Sequence, residues 1–532
     1  MWEQLSEMAN FPLQYASLHK MIIRTKFSPL TIRIGVLFVG ILQLMLLWSY
    51  PLRLKSQNSQ KAISILQAEE RKQHCRIAML VTELSSGKRI VDYRRNCRMI
   101  PASLTKLITT ASALRIHGPE ACFRTEIGYT GSIHNKELYG DLVVLGSGDP
   151  SIDSHYIAED SIRFKTFVCE TVSRAGITRI RGKIIVDASV FRPADSSSSW
   201  LYEDLGEYYG ASLYGFNIHD NRIDIYLRNE GNKILLHHMQ PSEVEIELIN
   251  ELKPGEKNSW HINGAPGEKK RRLRGTLLTK GRREMRCMMD IPDPAGYIAT
   301  AIRKQLQKEG VKIEGPSEAR YDYLPEWHGS VKSLSFYHSR SLEQLVRETN
   351  RRSINLWAEA FMNCLDENIP KSFDGGYNRL LQYWETVDQF DPKQISLFDG
   401  SGLSPKNRIT PNLLEVVLLE MGNRKKADNA VFYNSLPLAG QEGSVQHFTT
   451  PQSMKARLKS GSMFGVQGYA GYAQIGGKDV TIVLLANDFV NVQSMRKTML
   501  EALQTLSGET EQHKKSDSYH KRKSRSTKRK KS

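Results

Sequence analysis

The sequence predicts an α+β fold in which an antiparallel sheet with helices is split by an inserted β-rich stretch. Two apparent strands and an apolar helix lie between residues 77 and 114, and short β-like segments with turns fill residues 128–329. Helical patterns return from residue 342, and three glycine-broken strands precede a last helix that ends near residue 506. Because strands and a helix come first and helices and strands return last, we expect the two ends of this pattern to form one domain.

The length of the chain indicates several domains, since 532 residues exceed the size of a single hydrophobic core. Hydrophobic residues make up 40% and charged residues 25%, which is the usage of a globular protein. The expected order is a cytoplasmic N-terminus (1–30), a transmembrane anchor (31–52), a polar linker (53–73), the first part of the split domain (74–127), one or more inserted β-rich domains (128–334), the second part of the split domain (335–507) and a disordered basic tail (508–532).

The anchor is predicted from the run 34–50, which contains no charged side chain. A helix of this run spans about 25 Å, and about 30 Å with residues 31–33, which is enough to cross a bilayer. Four basic residues precede it, which favours a single-pass protein with its folded part on the outer, periplasmic side of the cytoplasmic membrane. A cleaved signal peptide is the alternative. An uncleaved anchor is favoured because Trp48, Tyr50 and Pro51 stand where a cleavage site needs small residues.

The positive charge of the chain is unevenly distributed. The net charge is +17, and the tail 513–532 alone holds ten Lys or Arg residues. Because helix-turn-helix, RNA-recognition and zinc-finger signatures are absent from the sequence, we expect no nucleic-acid partner. The tail is interpreted as a solvated, disordered segment, or as one that attaches by charge to anionic envelope polymers or lipid headgroups.

The cysteines and histidines do not predict a metal site. The six cysteines lack CxxC or Cys/His spacing, and the fourteen histidines include no H-x-x-x-H pair. Cys75 and Cys97 flank the turn 85–88 nearly symmetrically and are expected to face each other across a hairpin. An exported location permits a disulfide there, and free thiols fit equally well.

Ser103 and Lys106 form an S-x-x-K pair at the start of an apolar helix. Residues three apart lie on one helix face, so the amine can reach the hydroxyl, and a neutral lysine can take its proton. The same spacing recurs at Ser17, Ser85, Ser494 and Ser518. Of these pairs, only the one at Ser103 combines an apolar helix with a position beyond the membrane segment.

Two further motifs carry reactive groups. Ser353 and Asn355 offer a hydroxyl for proton relay and an amide that can hold both a lysine and a substrate carbonyl, although Ser353 also fits a helix N-cap. The second motif stands at the head of a strand and offers a lysine, a hydroxyl, a glycine that leaves room for a peptide and a backbone donor for an oxyanion: Lys459, Ser460, Gly461 and Ser462.

S-x-x-K, S-x-N and K-[ST]-G in this order, on a helix, a helix start and a strand, are the signatures of penicillin-recognising serine enzymes. Over about residues 75–505, the chain resembles the class C low-molecular-mass penicillin-binding proteins, the D-alanyl-D-alanine carboxypeptidase/endopeptidase family. Glycine- and proline-rich segments at 145–150, 291–294, 398–404 and 435–440 add to the resemblance. So does the long gap between Lys106 and Ser353, where that family inserts extra domains.

The resemblance implies a β-lactamase/transpeptidase-like domain and an acyl-enzyme reaction on peptidoglycan peptides that end in D-Ala-D-Ala. It implies β-lactams as covalent inhibitors and requires no metal or organic cofactor. The roles it assigns are nucleophile (Ser103), base (Lys106), proton transfer and substrate binding (Ser353, Asn355), the opposite wall of the cleft (Lys459, Ser460, Gly461) and the second oxyanion donor (Ser462). Ile354 and Ser460 depart from the usual polar residue and threonine of the family, and Ser460 keeps the hydroxyl.

Two rival functions use the same fold. A β-lactamase-like hydrolase would release the penicilloyl group quickly. A non-catalytic peptidoglycan-binding protein would bind muropeptides without being acylated, although all three motifs keep their reactive groups here. The Asp149, Asp293 and Asp399 neighbourhoods are rich in glycine and proline and are interpreted as turns.

Overall fold

A computed structural model describes residues 57–157, 163–192, 196–231, 233–280 and 284–508 of the chain. The predicted N-terminal segment and anchor (1–52) and the basic tail beyond Gly508 lie outside these residues. Within the described ranges, every helix is too short or too polar to span a bilayer. The chain from Ala62 onward groups into one compact unit.

The helices and strands, numbered in chain order, fall into three stretches. The first contains α1 (57–73), β1 (Arg76–Glu83), β2 (Arg89–Tyr93) and α2 (Thr105–His117). The second contains β3 (Arg124–Tyr129), β4 (Ser132–His134), β5 (Glu137–Tyr139), β6 (Leu142–Leu145), α3 (Phe164–Arg174), β7 (Arg179–Ile180), β8 (Ile184–Asp187), β9 (Arg222–Glu230), β10 (Lys233–Gln240), β11 (Glu247–Gly255), β12 (Ser259–Asn263), β13 (Lys270–Leu278), β14 (Glu284–Asp290), α4 (Pro294–Lys308), β15 (Lys312–Ile313), β16 (Ser317–Arg320), α5 (Pro325–Ser330) and β17 (Lys332–His338). The third contains α6 (Leu342–Arg352), α7 (Asn355–Cys364), α8 (Phe373–Trp384), β18 (Ile395–Ser396), β19 (Arg408–Ile409), α9 (Pro411–Glu420), α10 (Ala427–Ser435), β20 (Arg457–Met463), β21 (Val466–Ile475), β22 (Lys478–Asn487) and α11 (Val492–Ser507).

The first and last stretches share one five-stranded antiparallel sheet, as the sequence predicted. Its order is β2-β1-β22-β21-β20. The first strand of the chain lies beside the last, with Arg76 opposite Asn487 and Glu83 opposite Val480. Strand β20 forms one edge of this sheet, so one side of its backbone is available to a ligand.

Successive residues of β1 point to opposite faces of the sheet and enter two different cores. Ala78 and Leu80 join the core formed with α2, α6, α7, α8 and α9. Ile77 and Met79 join the core formed with α1 and α11. Helix α2 lies deep in the first core, since every residue from Thr105 to Leu114 is buried.

Helix α1 occupies the stretch that the sequence assigned to a polar linker over 53–73, so that prediction was wrong from residue 57 onward. Ala62 and Leu66 are fully buried, and Glu69, Glu70 and Gln73 continue the same side of the helix. The helical spacing of the buried residues could not be recognised from apolar side chains, because those in the C-terminal half of the helix are polar. Those polar groups are satisfied: Glu70, for example, accepts the backbone N–H of Ile77 at 2.7 Å.

The inserted stretch is rich in strands, as predicted, and also contains two helices that pack into its own core. Two mixed sheets, ordered β16-β8-β6-β3-β17 and β15-β7-β5-β4, enclose α3 and α4. Two three-stranded sheets, β10-β9-β14 and β11-β13-β12, enclose a second core. Strands β3 and β17 pair with each other, so the insertion runs from Arg124 to His338, slightly wider than the expected 128–334.

All six cysteines are free thiols. Cys75 precedes β1 and is buried, whereas Cys97 lies beyond the end of β2. Of the two alternatives for this pair, a disulfide or free thiols, the structure has free thiols.

Candidate active site

Ser103 lies in a single 3-10 turn, Ala102–Leu104, immediately before α2 begins at Thr105. The sequence placed it in the first turn of the helix itself. Ala102 has φ +47°, a left-handed conformation that costs a non-glycine residue free energy and marks a constrained site. A Cβ at Gly402 would lie 1.9 Å from the carbonyl oxygen of Ala102. Only a glycine therefore lets the 398–404 loop approach the turn that carries Ser103.

Lys106 is fully buried, and its amine contacts three oxygens. The Nζ atom lies 3.0 Å from Ser103 Oγ, 2.7 Å from Asn355 Oδ1 and 2.6 Å from the carbonyl oxygen of Ser401. The Asn355 oxygen is the atom that faces the amine, because Asn355 Nδ2 donates to the carbonyl of Tyr209 at 2.8 Å. One helical turn thus brings the amine to the hydroxyl, and the start of α7 and the 398–404 loop fix its other side.

The environment of Lys106 favours the uncharged amine. Burial lowers the pKa of Lys106 from 10.5 to about 7, and the charges of Asp399 and Glu359 oppose that shift. An uncharged amine has two N–H groups and one lone pair. Asn355 Oδ1 and the Ser401 carbonyl can only accept, so they take both N–H groups. The lone pair then points to Ser103, whose hydroxyl donates to it, which is the arrangement of a general base.

Ser353 stands between α6 and α7 in the left-handed conformation, with φ +64° and ψ +43°. It is the C-cap of α6, whereas Ile354 is the residue that precedes α7 and it makes no side-chain cap. The N-cap alternative for Ser353 is therefore not found. Its hydroxyl instead accepts from Lys459 Nζ at 2.9 Å. Ile354, the departure from the family pattern, belongs to the hydrophobic core.

Lys459 and Gly461 point to the same face of β20, toward the turn that carries Ser103. Lys459 is fully buried, and its amine donates to Ser353 Oγ and, at 2.6 Å, to the carbonyl of Ser460. Burial, with a smaller contribution from the charge of Lys106, lowers the pKa of Lys459 well below its usual range. A Cβ on Gly461 would lie 2.6 Å from the carbonyl oxygen of Pro101 and 3.1 Å from the backbone nitrogen of Leu104.

Ser460 and Ser462 point to the opposite face of β20, because side chains alternate along a strand. The hydroxyl of Ser460 contacts the hydroxyl of Ser444 at 2.7 Å, in an exposed position. Ser462 is exposed and lies opposite Gln467 of β21. Ser444 was not predicted from the sequence. It lies in the short turn Gly443–Val445, and no local pattern marks it as part of the site.

Two buried carboxylates beneath Lys106 were also missed. Glu359 of α7 accepts the backbone N–H groups of Gly400 and Ser401 at 3.0 and 2.8 Å. Burial, together with the charge of Asp399, raises the pKa of Glu359 well above its ordinary value. The sequence offered no signal for it, because a single glutamate within an apolar helix has no local pattern. Glu359 nevertheless holds the backbone N–H of Ser401, the residue whose carbonyl oxygen contacts Lys106.

Asp399 was interpreted as a turn residue, and it is one, but its carboxylate also receives four donors. Its oxygens accept from Gly402 N at 2.8 Å, Ser404 N at 2.5 Å, Asn407 Nδ2 at 2.6 Å and Trp200 Nε1 at 2.9 Å. The first three close the loop on itself. The fourth comes from the inserted stretch, 199 residues earlier in the chain.

The residues around Ser103 are amines, hydroxyls and amides, which are poor ligands for a metal ion. Among the described residues, one cluster elsewhere could hold a metal: His237, His238 and Glu284, whose ligand atoms lie within 4.8 Å of one another. They lie on β10 and β14 in the insertion. Arg228 already pairs with Glu284 at 3.6 Å, so a bound cation would have to displace or tolerate that guanidinium.

A cavity of about 450 Å³ in the insertion is lined by none of the predicted site residues. Its two histidine neighbours are His155 and His219. The nitrogens of His219 contact the carbonyl of Asp153 at 3.1 Å and the hydroxyl of Tyr297 at 3.4 Å, and His155 contacts Asp220 at 3.1 Å. These polar groups already have partners within the protein, so the cavity does not compete with Ser103 as the reactive site.

Comparisons with known proteins identify relatives of this chain. D-alanyl-D-alanine carboxypeptidase DacB of Haemophilus influenzae is 22% identical over 78% of this chain and 85% of its own. Penicillin-sensitive carboxypeptidase A of Dictyostelium discoideum is 24% identical over 70% of this chain and 73% of its own. The crystal structure of penicillin binding protein 4 from Haemophilus influenzae superposes with a TM-score of 0.71 and 21% identity, covering 83% of this chain and 98% of that one.

The structural similarity shows a shared mixed α/β fold. The family assignment rests on a broader match. The sequence model of the D-Ala-D-Ala carboxypeptidase 3 (S13) family covers residues 59–507, which include all three motifs and the insertion between them. Ser103 and Asn355 both contact the buried amine of Lys106. The chain belongs to the D-Ala-D-Ala carboxypeptidase 3 (S13) family of serine peptidases.

Proposed function

We propose that this protein is a penicillin-sensitive D-Ala-D-Ala carboxypeptidase or endopeptidase that cleaves peptidoglycan peptides through an acyl-enzyme on Ser103. The observation that carries the proposal is the position of Lys106 Nζ, which lies 3.0 Å from Ser103 Oγ and 2.7 and 2.6 Å from the Asn355 and Ser401 oxygens that only accept. Family membership and relatives named as D-alanyl-D-alanine carboxypeptidases support the same reaction.

In acylation, Ser103 Oγ attacks the carbonyl carbon of the scissile peptide, and its proton moves to Lys106 Nζ. The carbonyl oxygen becomes an oxyanion, for which the backbone N–H groups of Ser103 and Ser462 are the proposed donors. The carbon–nitrogen bond then breaks. The leaving amine takes the proton that Lys106 received, relayed through the hydroxyl of Ser353, which Lys459 holds at 2.9 Å, and Lys106 is then uncharged again. The product is an ester of Ser103 and a free D-alanine.

Deacylation reverses these roles with water as the nucleophile. Water attacks the ester carbonyl and gives its proton to Lys106, the carbon–Oγ bond breaks, and Ser103 regains its proton. The substrate's terminal carboxylate is proposed to lie against the Ser460 hydroxyl on the edge strand β20. Ser444, which contacts the Ser460 hydroxyl, widens this polar wall. Such a site favours peptides that end in a free carboxylate.

Covalent labelling with a fluorescent penicillin tests the proposal. Wild-type protein is expected to be labelled, and Ser103→Ala is expected to abolish labelling. Ser85→Ala is the matched control, because Ser85 and Lys88 repeat the S-x-x-K spacing in a surface turn. Labelling that persists in Ser103→Ala would place the nucleophile elsewhere. Release of the penicilloyl group within seconds would instead support a β-lactamase-like hydrolase, and muropeptide binding without any acylation would support a binding protein.

The proposal extends to location. Residues 31–52 are proposed to anchor the protein in the cytoplasmic membrane with the enzyme on the outer side, supported by the uncharged run and the basic residues before it. The basic tail is proposed to contact anionic envelope polymers. Membrane fractions from cells that express the full chain should contain the labelled protein, and deletion of residues 1–52 should move it out of them.

A further inference from the structure

The 398–404 loop contacts both members of the S-x-x-K pair. The carbonyl of Ser401 accepts from Lys106 Nζ at 2.6 Å. Gly402 approaches the carbonyl of Ala102, the residue before Ser103, so closely that a Cβ there would lie 1.9 Å from that oxygen. A displacement of this loop would therefore move the amine away from the hydroxyl or press on the turn that carries it.

The loop is held from two sides. On one side, Glu359 of α7 accepts the N–H groups of Gly400 and Ser401. On the other side, the insertion contributes Trp200, which is 7% exposed and donates from Nε1 to Asp399 Oδ2 at 2.9 Å. Ser404 Oγ also donates to the carbonyl of Ser199 at 3.3 Å. The main contact of the insertion with this loop is therefore the hydrogen bond from the indole N–H of Trp200 to the carboxylate of Asp399.

We propose that Trp200 is a positioning residue for acylation: by fixing Asp399 and its loop, it sets the Ser401 carbonyl that orients the amine of Lys106. This inference rests on the proposed function. It gives the inserted stretch a part in the chemistry, because a residue outside the three motifs and outside the split domain determines where the base stands.

The physical argument is one of hydrogen-bond geometry. A buried carboxylate that loses one of its donors is left under-satisfied and moves to recover a partner. Asp399 closes the loop through Gly402 and Ser404, so any movement of its carboxylate moves the peptide units between them. A change of about 1 Å in the placement of a reacting group can cost about a hundredfold in rate.

The structure offers a matched pair of tryptophans for the experiment. Trp200→Phe removes the N–H to Asp399 and keeps most of the ring. Trp384→Phe also removes a buried N–H, which donates to Ser112 Oγ at 2.8 Å on the far half of α2. Both variants lose one buried hydrogen bond and the same atoms. Only the first bond leads to the loop that contacts Lys106.

Stopped-flow acylation by a fluorescent penicillin, over a range of penicillin concentrations, separates the dissociation constant from the first-order acylation rate. Trp200→Phe is expected to lower that rate tenfold to a hundredfold with little change in the dissociation constant. Trp384→Phe is expected to lower thermal stability by a similar amount and to keep the acylation rate within twofold. Equal acylation rates for wild type and Trp200→Phe, or an equal loss in both variants, would overturn the inference.

A second variant keeps the test decisive if Trp200→Phe does not fold by circular dichroism. Asp399→Asn keeps the size of the side chain and removes its charge. Asp399 and Glu359 favour the charged form of Lys106, and the charge of Lys106 in turn lowers the pKa of Lys459. The acid limb of the acylation rate should therefore move to lower pH, with a fall in the plateau rate. An unchanged profile would refute the link from Asp399 to Lys106, whereas absence of labelling in the wild type would refute the proposed function instead.

Discussion

Substitution of Gly461 by alanine tests whether the cleft depends on the close approach of strand β20 to the Ser103 turn. A Cβ at this position would lie 2.6 Å from the Pro101 carbonyl oxygen, whereas ordinary contacts begin near 3.4 Å. The strand and the turn must therefore separate by roughly 0.8 Å, because the two nearest atoms, the Pro101 oxygen and the Leu104 nitrogen, belong to the backbone and cannot rotate away. Overpacking of this kind costs about 1–3 kcal/mol of stability. Because the turn carries Ser103, we also expect penicillin acylation to slow about tenfold to a hundredfold.

The cross-strand partner of Gly461 supplies the control. Gly468 lies directly opposite it on β21. A Cβ at Gly468 would meet the side-chain methyl groups of Leu104 and Leu485 at 2.8 Å, and such groups can rotate away. Gly468→Ala should therefore acylate within about threefold of wild type by stopped-flow labelling, with a smaller loss of thermal stability. If Gly461→Ala acylates as fast as Gly468→Ala, the turn does not depend on that approach and the reasoning is wrong.

Two further predictions follow from the lysines and from Ser353. The acylation rate should rise with pH through about 7 and level off above it, because burial lowers the pKa of Lys106 to about 7 and only the uncharged amine can take the Ser103 proton; a stopped-flow pH profile that rises only above pH 9 would contradict this. Ser353→Gly and Ser353→Ala should both slow acylation at least a hundredfold. By chemical denaturation, the glycine variant should be about 1 kcal/mol more stable than the alanine variant, since φ at this position is +64°; equal stabilities would show that the left-handed conformation is not strained.

The split sheet and the meeting of the three motifs were predictable because each leaves a local mark. Alternation and glycine breaks marked the last three strands, and the helical spacing after Ser103 marked α2. The three motifs occur in the order typical of a known family, so the resemblance implied that they meet in one site. In the structure, Lys106 links Ser103 to Asn355, and Lys459 reaches Ser353.

The supporting residues could not be predicted, because each acts through a partner far away in the chain. Trp200 and Asp399 are 199 residues apart, and the sequence around each of them contains no pattern that predicts their hydrogen bond. The glycines around Asp399 explain the turn but not the burial of its carboxylate. Helix α1 was not predicted for a different reason. Its buried residues Glu69, Glu70 and Gln73 are polar and form hydrogen bonds, so a search for apolar residues at helical spacing does not include them.

The pairing of β1 with β22 has a consequence for how the protein is made. Arg76 and Asp488, which form an ion pair at the end of this pairing, are 412 residues apart in the chain. On the ribosome, β1 and the serine turn emerge first and have no sheet to complete until the final strands follow. The insertion, whose cores are closed by its own segments, can fold in the meantime. A nascent chain therefore carries Ser103 long before its sheet is complete, and the proposed reaction requires that the last hairpin has formed.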